Sequence, residues 1–243
     1  MAPDRIGFDR VIRLRWLDRA ALLAAELRDA DALHQAILAQ LAVELPGVDA
    51  RRKTANVLTR IWWRVPEEHI PLRNEALAQM VDCAHEERLL FHWGMCLLAY
   101  PIFRDVAATA GRLLRLQGIF RQAQVVSRIG AVWGNRSTLE TAVPRILRSQ
   151  ADWGVLTAAS ERGGYLVGPT LSPAPGGPVL WLLATLLESC DAEVLVNDLF
   201  HAPELFPFAV TLSPSALAQS GWFRLQQVGQ RVLVVFGGDH DGG

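Results

Sequence analysis

Between Leu89 and Phe103 the chain reads LLFHWGMCLLAYPIF, with His92 as its one strongly polar side chain. This run is shorter than the ~18 residues that cross a bilayer. It is also too continuously apolar for a surface helix, which keeps one polar face. It therefore has to be a buried helix packed by other elements, and Val179–Leu187 reads the same way. The surrounding segment, Leu72–Tyr100, is the expected central packing helix, broken near Gly94. Apolar residues make up 51% of the 243 and charged residues 20%, which supplies a core and excludes a disordered tail or a collagen-like fibre. The opening MAPDRIGFDR lacks the apolar stretch of a secretory signal. Cysteines at 83, 96 and 190 form neither a metal-ligand spacing nor an even disulfide set. These features lead to the expectation of a soluble, cytoplasmic protein without a membrane partner.

Charge is distributed unevenly behind a net value of −1. Residues 1–170 carry 22 Arg/Lys against 18 Asp/Glu, whereas residues 171–243 carry 2 against 7. Arg51, Arg52, Lys53, Arg60 and Arg64 form one cluster without an acid. Residues 104–148 form another, with eight arginines against Asp105 and Glu140. Two such clusters suit a polyanion, because each cation set on a phosphate releases a condensed counterion. The plain alternative is a pair of solvated helix faces.

Apolar periodicity predicts helices over Phe8–Leu27, Ala32–Leu45 and Ala50–Arg64. Pro46-Gly47 ends the second, Asp49 caps the third and Pro66 closes it. Leu58, Ile61, Trp62 and Val65 share the inward face of the third helix. Lys53, Asn56, Arg60 and Arg64 lie on another stripe, and Trp63 has to point away from Trp62. Pro101 starts a helix running to about Leu116. A short break or strand at Gln117–Phe120 follows, then a helix over Arg121–Trp133 and a turn at Gly134-Asn135-Arg136. Ser137-Thr138-Leu139-Glu140 reads as a capping box opening a helix to about Asp152. Trp153–Ala158 and Tyr165–Val167 read as a hairpin. Helix, turn, capped helix and hairpin is the order of a winged helix-turn-helix. Beyond a Pro/Gly-rich connector over Gly168–Pro178, helices are expected at Val179–Ser189, Glu193–Phe200 and Ser213–Ser220. Strands are expected at Trp222–Gln226 and Arg231–Phe236, with a frayed tail at Gly237–Gly243. This last unit echoes the helix-then-hairpin order without the basic charge.

The expected fold is thus mainly α: an N-terminal helical bundle (1–100) with a basic helix at 50–64, a central winged helix-turn-helix (101–170), and a smaller C-terminal α+β unit (171–243) with a hairpin.

Catalytic signals are sparse. The chain has no P-loop, no dinucleotide glycine pattern and no His-Glu-x-x-His, so no cofactor, metal or enzymatic activity is expected. His85, Glu86, Glu87 and His92 come closest to a metal cluster, but the two histidines lie two helical turns apart. His201 and Asp198 have no nucleophile beside them. The basic segments offer more. Thr138, Thr141, Arg145 and Arg148 follow i, i+3, i+7, i+10 on the second helix of the winged unit, with Arg136 and Ser137 just before it. Such a helix fits the major groove, where arginine reads guanine edges or holds phosphates. Pro144 should kink it. Arg162 lies at the hairpin tip, where a wing meets DNA. The candidate DNA-binding residues are therefore Arg51, Arg52, Lys53, Arg60, Arg64, Arg136, Ser137, Thr138, Thr141, Arg145, Arg148 and Arg162, with double-stranded DNA as the partner. A winged helix also serves as a protein-docking subunit or in a transcriptional regulator, and that alternative stays open.

Three stretches carry a resemblance: Asp49–Arg60 with the Trp62-Trp63-Arg64-Val65-Pro66 that follows, Leu97–Val106, and Trp133–Thr141 with the later Gly154-Val155-Leu156. Their order, over roughly residues 45–170, resembles the small A component of bacterial BREX phage-defence systems, a helical DNA-binding protein. The resemblance implies a non-enzymatic DNA-binding accessory of an anti-phage complex, with other defence-system proteins as further partners. Pro144 and the acidic C-terminal unit have no counterpart in it.

Overall fold

The computed structural model describes residues 6–27, 29–134, 136–190, 193–229 and 231–237. Asn135 of the expected turn, Gln230 of the C-terminal hairpin and the tail beyond Gly237 lie outside them. The bundle opens with α1 (Leu14–Glu26), α2 (Ala30–Leu41), α3 (Val48–Trp62), α4 (Ile70–Asp82) and α5 (Arg88–Ala99). Asp29 caps α2 by accepting from the Ala32 N–H. The expected break at Gly94 is not there. The chain breaks at Cys83–Glu87, and α5 is buried continuously from Leu89 to Ala99. Gly94 serves a close approach instead: a Cβ there would lie 2.5 Å from the Trp181 ring.

The expected first helix also begins late. Residues 6–13 run as a non-helical strap with Phe8 and Ile12 fully buried. Its polar backbone is used over long range. The Ile12 N–H donates to Ser149 Oγ (2.8 Å), Trp153 Nε1 donates to the Ile12 carbonyl (2.8 Å), and the Leu14 N–H donates to Asp152 Oδ2 (3.0 Å). Groups spent this way are not available to a helical ladder. Asp49 is likewise not the cap of α3. Gly47 holds that position, and Asp49 sits in the first turn.

The middle of the chain is α6 (Pro101–Gln117), β1 (Ile119–Arg121), α7 (Gln122–Trp133), α8 (Leu139–Asp152), β2 (Leu156–Ala158) and β3 (Gly164–Val167). Pro101 takes the first position of α6, where the missing N–H has no helical partner to lose. The strands form one antiparallel sheet in the order β1-β3-β2, closed by Phe120 stacked on Tyr165 at 5.6 Å. α8 continues through buried Pro144. No capping box forms, since Thr138 holds the cap position in a helical conformation and its side chain accepts no cap bond.

The Pro/Gly connector is ordered, with Leu171 bridging to Phe208. After it come α9 (Gly177–Cys190), β4 (Val194–Leu195), α10 (Val196–Phe200), α11 (Pro214–Gln219), β5 (Phe223–Val228) and β6 (Arg231–Phe236). Their sheet has the order β4-β6-β5. α9 is buried against α4 and α5, with Trp181 Nε1 donating to the Leu72 carbonyl (2.7 Å). One hydrophobic core runs from Phe8 to Val234 through all three stretches. The fold is mainly helical with two small antiparallel three-stranded sheets.

Candidate nucleic-acid interface

The turn from α5 into α6 sets the floor of an open cleft of about 1380 Å³. Tyr100 is extended there (φ −137°, ψ 96°), and the chain reverses through Pro101. α3 forms one wall with Lys53, Asn56 and Arg60, continued by Arg64 just past its end, and α8 forms the other with Thr141 and Arg145, preceded by Ser137 and Thr138. Helical spacing aligns Lys53, Asn56 and Arg60 on one face, and Thr141 and Arg145 on another. The strap supplies the rim through Ile6, Gly7 and Asp9.

The Arg60 guanidinium carbon lies over the Tyr100 ring, 4.7 Å from its centroid. Burial pushes the Tyr100 phenol well above its ordinary value, with Arg60 acting against that rise. Gly7 has φ +57°, and a Cβ there would meet Tyr100 Cε1 at 3.1 Å and Arg60 Nη1 at 3.3 Å. Glycine satisfies both the backbone and the space. Across the cleft, the Arg145 guanidinium donates to the Asp9 carbonyl, and the Arg145 carbonyl accepts from Ser149 Oγ (2.9 Å). Arg145 is thereby half-buried and held at the rim. Ser137, Thr138 and Thr141 are exposed and line the cleft, and no side chain caps the helix.

Of the twelve residues singled out from the sequence, Lys53, Arg60, Arg64, Ser137, Thr138, Thr141 and Arg145 meet in this cleft. Arg51, Arg52, Arg136, Arg148 and Arg162 lie outside its lining. Arg52 and Lys53 both pair with Asp49, at 2.8 and 3.1 Å, and hold that carboxyl below its ordinary range, chiefly through the Arg52 hydrogen bond. Arg148 is exposed on α8, close enough to Tyr165 to oppose the rise that burial causes in its phenol. Arg162 is exposed in the β2–β3 turn, where neighbouring Glu161 pairs with Arg121 (2.6 Å). The strap and Tyr100 were not legible as site residues. Gly7, an isolated glycine beside apolar Ile6 and Phe8, was the one available signal.

Elsewhere, buried His92 shares a hydrogen bond with Asp18 (Nε2···Oδ1 2.8 Å), and His85 approaches the other Asp18 oxygen at 3.6 Å. Burial lowers the His92 pKa and the Asp18 hydrogen bond opposes that shift. His201 Nδ1 contacts the Asn197 carbonyl (2.8 Å). Trp63 points away from Trp62 and carries Arg73 over its ring at 5.4 Å. Among the described residues no group of three or more His, Cys, Asp or Glu is placed to hold a metal ion, and no helix is long and apolar enough to cross a membrane. Comparisons with protein-family models, curated proteins and solved structures gave no match to the chain.

Proposed function

We propose that this protein binds duplex DNA without catalysis. On this reading α6, β1, α7, α8, β2 and β3 form a winged helix-turn-helix, α8 approaches the major groove, and α3 grips the flanking phosphates. The observation that carries it is the convergence on one cleft of Lys53, Arg60 and Arg64 with Arg145 of α8, which lies far from them in the chain. The succession of elements and the strand order β1-β3-β2 support the same reading. The resemblance to the BREX A component makes anti-phage defence in a bacterial cytoplasm the setting, with other defence proteins as partners. A second reading, docking of a protein partner or a role in transcriptional regulation, is favoured by Leu166 and Val167 of β3, 40% and 44% exposed.

Titration of a short duplex at rising salt tests the proposal. Affinity should fall steeply, by roughly one unit of log–log slope per phosphate contact. Arg60→Ala with Arg64→Ala should weaken all sequences alike and flatten the slope by about two units. Arg145→Ala with Arg148→Ala should weaken binding and relax any sequence preference. A protein that ignores duplex DNA at low salt overturns the proposal and leaves the protein-docking reading.

A further inference from the structure

The cleft floor is apolar where a phosphate seat needs only charge. Half-buried Val65 and Pro101 line it beside Arg60 and Tyr100, with Val57, Leu98 and Ala99 buried behind them. A duplex presents phosphates and sugars on a convex cylinder, and those groups leave such a floor uncovered. An unstacked nucleotide has the matching composition: a base with apolar faces, polar edges, and phosphates on a short tether.

Resting on the duplex-binding reading, we infer that the cleft seats one unstacked nucleotide of the bound DNA, its base on the floor and its phosphates on the basic walls. Arg60 lies over Tyr100 in the cleft lining, and a planar guanidinium there offers a stacking surface for a base. Asn56, exposed on α3 between Lys53 and Arg60, offers a donor and an acceptor to a base edge. Lys53 and Arg64 on the α3 side and Arg145 on the α8 side flank the seat, so phosphates on both sides of the base meet a cation. The Asp9 carbonyl holds Arg145 in place on the far wall. At about 1380 Å³ the cleft exceeds the roughly 300–1,000 Å³ of ordinary small-ligand pockets, which leaves room for a nucleotide together with its flanking phosphates.

The test uses two duplexes of equal length, one fully paired and one with 2-aminopurine in a single-nucleotide bulge. The bulge removes the cost of unpairing, so the full chain should bind that duplex about tenfold more tightly, the gain expected when one base acquires a stacking partner. The 2-aminopurine emission should change on binding. Asn56→Trp fills the floor from an exposed helix position without altering charge, and it should bring the affinity ratio down to about one. Deoxyadenosine monophosphate at millimolar concentration supplies the free-nucleotide arm. If it erases the bulge preference while paired-duplex binding persists, the seat is supported and a base with one phosphate is enough to fill it. If it does not, while the bulge preference stands, the strand tether is part of recognition and the inference is supported as stated. Equal affinity of the wild type for both duplexes, without an emission change, overturns the inference but leaves duplex binding intact. An Asn56→Trp protein that keeps the full preference places the base elsewhere and also overturns it. Failure of both duplexes to bind at low salt overturns this inference and the duplex reading together.

Discussion

Residues 101–167 and 177–236 pass through the same succession: a long helix, a short strand, two helices and a hairpin, with the first strand paired to the last in each sheet. In the central unit the two middle helices have 12 and 14 residues, while their C-terminal counterparts, α10 and α11, have 5 and 6. The central unit carries nine arginines against four acids, the C-terminal one two against five. Their attachments differ too. α6 meets the cleft at its first residue, Pro101, whereas α9 is sunk against α4 and α5. A shared succession of elements therefore sets how each unit closes its sheet, first strand to last. The length and charge of its middle helices set what its surface offers to a ligand, and in this chain only the central unit has both.

The strongest way to break the comparison is to ask whether the two units share one fate. Trp181 is fully buried, packs on Phe91 at 5.1 Å and bonds the Leu72 carbonyl. Trp181→Ala should destabilise the chain by about 3–5 kcal/mol in a single denaturant transition. Early loss of the C-terminal sheet, with the rest unchanged, would show two independent units instead. Gly111 on α6 gives a smaller effect. A Cβ there would lie 2.0 Å from the Pro203 carbonyl oxygen, at the seam between the units. Gly111→Ala should lower stability by about 1–3 kcal/mol despite alanine's better helix propensity, as read from the melting temperature. A stabilised variant would mean the seam yields freely.

The smallest expected effect concerns charge at the same seam. Burial raises the Glu204 pKa, opposed by its own backbone hydrogen bond and by Arg112 and Arg104 of α6. The native chain thus holds the Glu204 proton more tightly than the unfolded one does. The stability linked to this group is complete below the ordinary glutamate value of about 4.3 and declines as pH rises through the raised one. Glu204→Gln should stabilise the chain at pH 7 by less than about 1 kcal/mol and give no gain below pH 4. Melts at both pH values check this, and a gain that persists in acid would place the effect in packing.

How much of this was legible in the sequence follows the range of the interactions concerned. Pro46-Gly47, Pro66 and Pro101 mark helix limits through local chemistry, and the structure breaks at or beside each of them. The hairpins were legible from alternation and turns. Gly94 misled because a glycine in a helix looks like a break until Trp181 is brought over it. β4, with two residues, is set by pairing with β6 and leaves no local pattern. The same division holds at the site. The stripes on α3 and α8 are each periodic, but their meeting depends on the reversal at Tyr100-Pro101 and on a strap whose partners lie well over a hundred residues away.

That strap bears on how the chain is made. Ile12 and Ser149 are 137 residues apart, and Arg145 waits for Asp9 across 136. At about 5–20 residues per second, the strap leaves the ribosome roughly ten seconds before α8 does. Throughout that interval Ile12 lacks its partner Ser149 on α8. The strap thus cannot dock until α8 has emerged, and the rim of the cleft is finished only then.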